Sequence, residues 1–398
     1  MIVTQDSASF YDTPPTLRIF SQPKELIPPP PSSDPSDHDS PLAPEYVDPI
    51  AGLGKIGRNG NLLYVKPVDH IEEGLDLCYD ETEEGLFERS PSQIDYAASR
   101  RVSIPPDTRI QGTDGEMVGK YKVVKASRVY IDPGRDTTFW RFNLEIELGD
   151  KEEHVAYRIN NGSVVGFWVP ARGQAMNILY HTGNGFGMSV DTDKYSGPDP
   201  MWRDALNAHQ SRPFHVMIGG GSQINNNAIT VEADHFRKWI EMKGKNEKHE
   251  YPLNLDIKGE LEEFYLENYA AWFSQGLFGM ACSQIPMVNM WDDNDIISGY
   301  GSFTDELMKS PVFSGLGNVA FKYYLLFQHQ TAIEETEEHE PSWLLGSAEG
   351  PYIRQKSRNL LMSLGERIGL LAIDCRTERS VGEDSRCLES HAVSILML

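Results

Sequence analysis

Apolar and polar positions alternate with a period of two between about residue 50 and residue 171. In the clearest stretch, polar side chains separate five apolar residues, which are Trp140, Phe142, Leu144, Ile146 and Leu148. Such alternation is typical of a strand with one buried and one solvent-facing side. A turn at Gly149-Asp150 and an alternating run from Val155 to Ile159 predict a returning strand, and Lys120–Tyr130 indicates another. We therefore predict an antiparallel, β-sandwich-like domain over residues 50–171.

From residue 172 to residue 380, short apolar runs end in polar or glycine-rich loops and alternate with helical patterns. The runs, each with the residue that follows it, are Met176–Tyr180 before His181, Phe214–Ile218 before Gly219, Ile285–Met290 before Trp291 and Gly369–Ile373 before Asp374. The helical pattern at Leu261–Trp272 has one apolar stripe, whereas Val319–Phe327 is apolar nearly all round and is expected to be buried. These units predict an α/β domain with its site beyond the strand ends, and an α/β (α+β) fold overall.

Both ends of the sequence lack these patterns. Residues 1–49 are rich in Pro, Ser and Asp, with four consecutive prolines at Pro28–Pro31, and we predict a disordered tail. Residues 381–398 have no periodicity, and we predict an off-pattern C-terminal tail. Two origins stay open for this tail: a natural, truncated end, or the product of a frameshifted or mis-spliced gene.

Charge and cysteine content exclude several classes of partner. The 398 residues carry a formal net charge of −23, and the pI is about 4.9. A surface this acidic repels DNA, RNA and anionic lipid, so we expect no nucleic-acid partner. No apolar run reaches the roughly 20 residues of a transmembrane helix, and Met1–Pro15 has no secretory signal pattern. The four cysteines have no CxxC spacing, which favours reduced thiols and a cytoplasmic protein.

Three loops that follow predicted strands carry the candidate chemistry: His181–Gly185, Gly219–Gln223 and Asn289–Asp295. Together with four further segments they resemble the PhoD-like phosphatases of the metallophosphoesterase superfamily, in particular their eukaryotic cytoplasmic branch. Those segments are Phe167–Gln174, Gly197–Pro200, Trp272–Gly276 and Asp374–Arg379. The resemblance extends from about Ile50 to Arg379 and implies a metallophosphoesterase-like α/β domain.

The resemblance also implies phosphoester hydrolysis assisted by bound metal, with iron, calcium, manganese or zinc as the ions expected. Such ions lower the pKa of a bound water and neutralise phosphoryl oxygens. Four positions depart from the family pattern: Gly183 replaces Cys, Ser222 replaces Asp, Asn225 replaces Tyr and Asn294 replaces His. The later Gly-Asp-Val-His segment of the family is missing as well. Metal binding is therefore expected to be weak or absent.

The remaining candidate residues each have a structural alternative. Asp292 and Asp293, with Asn184 as a weak carbonyl donor, could bind a metal, or the two carboxylates could cap a turn. Arg376 and Arg379 could clamp a phosphoryl group in the substrate-binding site, or they could form structural ion pairs.

Two features of the first and second loops also have two interpretations. His181 could face the site as a weak substrate contact or lie buried, and Gly219–Gly221 could cradle a phosphate or form a tight turn. The sequence as a whole predicts a degenerate pseudophosphatase with little or no activity, which binds a phosphorylated small molecule or a protein partner. The alternative is an active phosphatase or phosphodiesterase with a metal site rearranged around Asp292 and Asp293.

Overall fold

The computed structural model describes residues 1–9, 13–22, 55–56, 62–63, 115–162, 164–190, 199, 201–274, 276–380 and 393–397. The strands, in chain order, are β1 (Ile2–Gln5), β2 (Thr16–Gln22), β3 (Lys55–Ile56), β4 (Leu62–Leu63), β5 (Lys122–Lys125), β6 (Ser127–Asp132), β7 (Thr137–Arg141), β8 (Glu153–Ile159), β9 (Val164–Val169), β10 (Ile178–His181), β11 (Val216–Gly219), β12 (Met287–Asn289), β13 (Trp343–Glu349), β14 (Lys356–Ser363), β15 (Ile368–Ala372) and β16 (Val393–Met397). The α-helices are α1 (Met201–Ser211), α2 (Ile229–Glu232), α3 (Asp234–Glu241), α4 (Lys245–Glu250), α5 (Leu255–Ser274), α6 (Gly276–Gln284), α7 (Asp305–Met308) and α8 (Pro311–Tyr324). A π-helical turn, Leu325–His329, continues α8.

The N-terminal part contains two antiparallel sheets, with strand orders β1-β7-β6 and β5-β2-β8-β9. In the second sheet β2 is an inner strand, because Leu17 pairs with Val124 of β5 on one side and with Ile159 of β8 on the other. Leu17, Phe20 and Ala156 are buried, which anchors these strands in the core. Antiparallel sheets in this part of the chain were expected from the alternation of apolar and polar positions.

The prediction of a disordered tail is wrong for residues 1–9 and 13–22, because they contain β1 and β2. β1 pairs with β7, and β2 lies between two other strands. The composition that indicated disorder belongs to the proline-rich sequence further on, and averaging over 49 residues hid two short runs of β-forming residues. Residues 10–12 and 23–49 of the predicted tail lie outside the described residues.

The strand predicted across residues 140–148 is shorter than its alternation indicated. β7 ends at Arg141, and residues 142–149 form no strand. Both partner strands of β7 begin opposite this point: Trp140 pairs with Ile2, the first residue of β1, and Arg141 pairs with Ser127, the first residue of β6. β8 pairs with β2 and β9 instead, so the predicted hairpin across Gly149-Asp150 does not form. Alternation shows that a segment suits a sheet, but it does not supply a partner strand.

The second part of the chain contains a parallel sheet with the order β10-β11-β12. Its strands confirm three of the predicted apolar runs, and β11 at its centre is buried throughout. Helix α5 buries the predicted stripe, which consists of Leu261, Phe264, Tyr265, Tyr269 and Trp272. Apart from Lys322, residues 319–327 are also buried, as predicted. The parallel sheet and these helices share one core, and the fold is α+β.

The fourth apolar run is a strand of a different sheet. β15 belongs to an antiparallel sheet with the order β13-β14-β15-β16, so Asp374 does not follow a strand of the parallel sheet. The predicted off-pattern tail is wrong for Val393–Met397, which form β16 and pair with β15. This apolar run is too short for its periodicity to be recognised, while residues 381–392 lie outside the described part. No helix among the described residues is long and apolar enough to cross a membrane.

Candidate functional site

The carboxyl ends of the parallel strands bring the predicted loops together. The N–H of Gly220 donates to the carbonyl oxygen of His181 at 2.8 Å, and the N–H of Gly183 donates to the carbonyl oxygen of Gly221 at 3.0 Å. The first two loops are therefore fastened to each other by backbone hydrogen bonds. This position, beyond the ends of parallel strands, is where α/β folds place their ligand sites.

The glycine run of the second loop is a tight turn with no room for side chains. A Cβ at Gly220 would collide with the hydroxyl of Tyr180, and one at Gly221, where φ is +122°, would lie 3.0 Å from Asp292. The N–H of Gly221 donates to Oε1 of Gln223 at 2.9 Å. Backbone N–H groups that would cradle a phosphate are thus already used inside the protein, which favours the tight turn.

Ser222 connects the second loop to the third. Its hydroxyl donates to Oδ2 of Asp292 at 2.5 Å and accepts a hydrogen bond from Nδ2 of Asn294 at 3.0 Å. The other oxygen of Asp292 accepts from the backbone N–H of Asn294 at 2.9 Å. Both oxygens of this buried carboxylate therefore have protein donors. The bond to the N–H two residues on is the turn-capping role that the sequence left open for Asp292.

Asp295 lies fully buried beside this group. Its Oδ2 accepts from the N–H groups of Ser222 and Asp292, both at 2.9 Å, and its Oδ1 accepts from Nε2 of Gln328 at 2.9 Å. Burial and the charge of Asp292 raise the pKa of Asp295 well above its ordinary value, and the three hydrogen bonds oppose that rise. Gln328 also accepts from Gln223 at 2.9 Å, so the network reaches the second loop.

Neither Asp295 nor Gln328 is among the residues predicted from the sequence. Asp295 stands within the third loop, and an acidic residue inside a recognised motif was a signal that could have found it. Gln328 offers no such signal, since it lies in the π-helical turn far along the chain. π-turns insert one extra residue into a helix and have no reliable sequence pattern.

Asp293 is directed away from Asp292. Its Oδ2 accepts from the N–H of Gly299 at 2.6 Å, and its Oδ1 lies 3.5 Å from the guanidinium of Arg376. Burial lowers the pKa of Arg376, and the carboxylate of Asp293 opposes that effect. Arg376 therefore makes the structural ion pair that was one of its two interpretations.

Asn184 and His181 are held by aromatic neighbours. Oδ1 of Asn184 accepts from the indole N–H of Trp202 at 2.6 Å, while its Nδ2 donates to the carbonyl oxygen of Gln223 at 3.0 Å. The ring of His181 packs edge-on against Trp202 and Phe278, with centroid distances of 5.0 and 6.3 Å. Burial lowers the pKa of His181 to about 4, so the ring is neutral at pH 7.

The other predicted positions are Gly183, Asn225 and Arg379. Gly183 has φ of +74°, and a Cβ there would meet open space. Oδ1 of Asn225 accepts from the N–H of Asn227 at 3.1 Å. The guanidinium of Arg379 donates to the hydroxyl of Ser302 at 3.1 Å on the exposed surface.

The residues present do not fit a catalytic metal ion. Such an ion usually takes at least three protein ligands whose donor atoms converge. Asp292 and Asp293 are directed at Ser222 and Arg376 respectively, and the carbonyl of Asn184 is already hydrogen-bonded. Over the described part of the chain, no group of three or more His, Cys, Asp or Glu side chains could hold a metal.

Comparisons with known proteins identify the family. The sequence profile of the family described as PhoD related phosphatase matches residues 159–385, which is more than half of the chain. The chain therefore belongs to the PhoD-related phosphatases. An uncharacterized protein of Saccharomyces cerevisiae, YGR266W, is 32% identical over 268 residues, which is 62% of this chain and 38% of the relative. This chain thus spans well under half the length of that relative.

A solved structure of PhoD is also similar to this chain. The sequence identity is 14%, the TM-score is 0.37, and the alignment covers 66% of this chain and 43% of that one.

Proposed function

We propose that this chain is a family member whose strand-end centre no longer assembles a tight catalytic metal site, and which hydrolyses phosphoesters weakly or not at all. The family relation implies metal dependence in general, and the loop residues are those of a family site. In place of ligands, however, the loops present a serine hydroxyl and an amide at positions 222 and 294. A pseudophosphatase would keep the fold and the strand-end loops while losing the ions that drive the chemistry.

The observation that carries this proposal is the hydrogen-bonded state of Asp292. A carboxylate in a metal site normally directs lone pairs toward the position of the ion. In Asp292, by contrast, Oδ2 accepts from the hydroxyl of Ser222 and Oδ1 accepts from the N–H of Asn294. The same holds for Asp295, which has three donors. A metal would have to displace these bonds and would gain only two converging carboxylates at most, which bind hard cations weakly.

Without a metal the site has little to stabilise a transferring phosphoryl group. Phosphoryl transfer depends on positive charge placed against the equatorial oxygens. The guanidinium of Arg376 is already opposite Asp293 and donates to the carbonyl oxygen of Tyr300 at 2.5 Å. Its guanidinium would have to leave both partners to reach a substrate.

A binding role is consistent with the same residues. Arg376 and Arg379 meet at Gly301, where an added Cβ would lie 3.1 Å from the first guanidinium and 3.0 Å from the stem of the second. Two arginines at one loop can hold a phosphate through charge-assisted hydrogen bonds, provided that Arg376 exchanges Asp293 and Tyr300 for the phosphate and Arg379 releases Ser302. We therefore propose a phosphorylated small molecule or a protein partner as the ligand. The four cysteines of the sequence have no CxxC spacing, and we propose the cytoplasm as the place where the protein acts.

The first experiment measures metal content by mass spectrometry and phosphoester hydrolysis on the same purified sample. We expect less than a tenth of an equivalent of metal and no turnover from a protein that is folded by circular dichroism. Stoichiometric metal together with turnover that disappears in Asp293→Ala would instead establish the active, rearranged site.

A pair of variants sharpens this test. Restoring two family ligands, Ser222→Asp with Asn294→His, should tighten manganese or zinc binding at least tenfold over the wild type in calorimetric titration. The control, Ser222→Asn with Asn294→Gln, changes the same two side chains without adding a strong ligand. If both pairs bind metal as weakly as the wild type does, loss of these two ligands is not what disabled the site.

A further inference from the structure

The outer strand of the second N-terminal sheet, β5, combines exposed apolar side chains with exposed basic ones. The exposed fraction is 43% for Tyr121, which precedes the strand, and 51% for Val123. Lys120, Lys122 and Lys125 are exposed as well, and none of them forms an ion pair with a carboxylate of the described residues. Residues 120–125, here called the β5 edge, therefore form a basic and apolar surface in a chain whose net charge is −23.

The backbone of the β5 edge also has an open side. The N–H of Ala126, the residue after β5, donates to the carbonyl oxygen of Pro15 at 2.8 Å, on the side of β2. Since successive residues of a strand direct their backbone groups to opposite sides, Val124 also faces β2, whereas Val123 and Lys125 face away from it. No strand of the described residues pairs with that outer side, because β5 is the first strand in the order β5-β2-β8-β9. Edge groups of this kind form hydrogen bonds with an added extended chain.

The chain itself brings a long segment to this place. It leaves the sheet at Gln22, the last residue of β2, and it returns at Gly115, whose N–H donates to the carbonyl oxygen of Ser21 at 3.0 Å. The carbonyl oxygen of Gly115 in turn accepts from the N–H of Lys120 at 2.7 Å. Residues 23–114 thus begin and end beside the β5 edge. Tethering at both ends gives any part of this segment a high effective concentration there.

One stretch of this segment matches the β5 edge in charge and in pattern. Residues 69–88, which lie outside the described part of the chain, contain nine Asp or Glu residues and no Lys or Arg. In the middle of this stretch, apolar positions alternate with acidic ones or a cysteine in the order Leu75-Asp76-Leu77-Cys78-Tyr79-Asp80. Along the β5 edge, Tyr121 and Val123 alternate with lysines in the same way. Because alternate residues of extended chains lie on opposite faces, the apolar side chains of both stretches can meet on one face and the opposite charges on the other.

We propose that the acidic segment, residues 69–88, lies along the β5 edge of its own chain. Its carboxylates pair with the lysines of the edge, its apolar side chains contact Tyr121 and Val123, and its backbone bonds to the outward groups of the strand. Edge strands are prone to pair with other copies of a chain, so this cover prevents association through β5. None of the residues around Ser222 takes part, so the proposal holds whether or not the strand-end centre hydrolyses phosphoesters.

Three other occupants fit the β5 edge less well. A second copy that paired β5 with β5 would place lysines opposite lysines, and like charges directly opposite each other are destabilising. Nucleic acids and anionic lipids are repelled by the net charge of −23. An acidic peptide of a partner would meet the same side chains, but it would have to displace a segment that is tethered beside them.

The test cross-links the full chain with a carbodiimide, which joins a lysine amine to a carboxylate only where the two are in contact. Equal amounts of unlabelled and nitrogen-15-labelled protein are mixed first, and mass spectrometry identifies the joined peptides. Lys243 and Lys245 are the controls, because they are also exposed and form no ion pair with a carboxylate of the described residues. We expect Lys120 and Lys122 to be joined to residues 69–88 at least tenfold more often than the controls. Both peptides of a joined pair should carry the same isotope, since they belong to one chain.

Amide hydrogen exchange tests the same contact without a reagent. With the edge covered, the outward amides of Val123 and Lys125 exchange slowly, like the amide of Val124, which faces β2. The double variant Lys120→Glu with Lys122→Glu repels the acidic segment, so exchange at the two outward amides should accelerate at least tenfold while that of Val124 stays unchanged. The same charge reversal at the two control lysines should leave all three amides as they are in the wild type.

Three results would overturn the proposal. Cross-links that form equally at the edge and control lysines would mean that residues 69–88 meet all surface lysines alike. Joined peptides of mixed isotopes would make a second copy of the chain the occupant. Outward amides that exchange at the free rate in the wild type would mean that the acidic segment leaves the edge uncovered.

Discussion

Ser222 shows how a single side chain determines what the strand-end loops can do. It lies in the left-handed region with φ of +55°, a conformation that costs a residue with a Cβ of the order of 1 kcal/mol. The surrounding structure maintains it through three bonds: its N–H to Asp295, its hydroxyl to Asp292, and the amide of Asn294 to its hydroxyl. A serine here completes a closed hydrogen-bond network, whereas a carboxylate at this position would repel Asp292.

Ser222→Ala should therefore destabilise the protein by about 1–3 kcal/mol, because it leaves one oxygen of a buried carboxylate without a donor. Urea unfolding at pH 7 measures the change. The control is Ser7→Ala, which removes a hydroxyl that donates to Asp136 on the exposed surface and should cost under about 0.5 kcal/mol. Equal costs for the two variants would mean that the Ser222 hydroxyl makes no special contribution.

At the scale of elements, Glu262 connects helix α5 to the N-terminal sheet and to helix α8. Its carboxylate lies 2.7 Å from Arg135, which follows β6, and 3.1 Å from Lys322 of α8. The Glu262 side chain is 13% exposed, and the two cations are 21% and 14% exposed. One carboxylate between two half-buried cations is difficult to replace, since its loss takes this counter-charge from Lys322 and leaves Arg135 with Asp132, at 3.1 Å.

Glu262→Gln should cost about 1–3 kcal/mol, because Lys322 loses the counter-charge of Glu262 and Arg135 keeps that of Asp132 alone of the two. Thermal unfolding of the variant measures this. Glu263→Gln, one residue further along and exposed, makes the same chemical change with an expected cost under about 0.5 kcal/mol. A stability loss that vanishes in 0.5 M salt would show that the cluster is screened like a surface ion pair.

The N-terminal strand β2 should prove as necessary as any strand of the parallel sheet. Phe20 is 4% exposed on an inner strand, so Phe20→Ala should lower stability by about 3–5 kcal/mol through lost burial and a residual cavity. Phe303→Ala is the matched change at a side chain that is 38% exposed, with a much smaller expected cost. If Phe20→Ala leaves the free energy of unfolding unchanged, β2 is not part of the folded core and belongs to the disordered tail that the composition predicted.

These elements show what could be predicted from sequence. The strands of the parallel sheet and the apolar stripe of α5 could be predicted because their apolar and polar positions follow a local pattern, which can be read without knowing the neighbouring elements. The ends of β7 and the sheet that contains β15 depend on partner strands distant in sequence, and periodicity does not specify them. In the site, the sequence motifs drew attention to Ser222 and Asn294, but their bonds to Asp292 could not be predicted, since contacts between loops depend on the fold.

At the scale of the whole molecule, four buried histidines make the fold sensitive to acid. Burial lowers the pKa to about 4 for His154, His181 and His209, with neighbouring histidines adding to the effect at His209. Burial and the charge of Arg358 lower the pKa of His329 to about 3. They lie on β8, β10, α1 and the π-helical turn, so both the N-terminal part and the second part of the chain contribute.

The sign of this effect follows from proton binding. An unfolded histidine takes up its proton near pH 6.5, whereas these rings in the folded protein do so only near pH 4 or 3. Between these values the unfolded chain binds more protons, so the contribution of these histidines to stability is greatest above pH 7 and falls as the pH is lowered toward 4. From pH 7 to pH 5 each such ring should contribute a loss of about 2 kcal/mol at most.

His181→Phe isolates one of these contributions. The phenyl ring keeps the edge-on contacts with Trp202 and Phe278 but cannot be protonated, so stability measured by urea unfolding should fall less between pH 7 and pH 5, by up to about 2 kcal/mol. Leu179→Val, a substitution in the same strand without a titratable group, should lower stability equally at both pH values. If His181→Phe retains the full wild-type slope, the imidazole of His181 takes up its proton in the folded protein at an ordinary pH, and its aromatic surroundings do not exclude the charge.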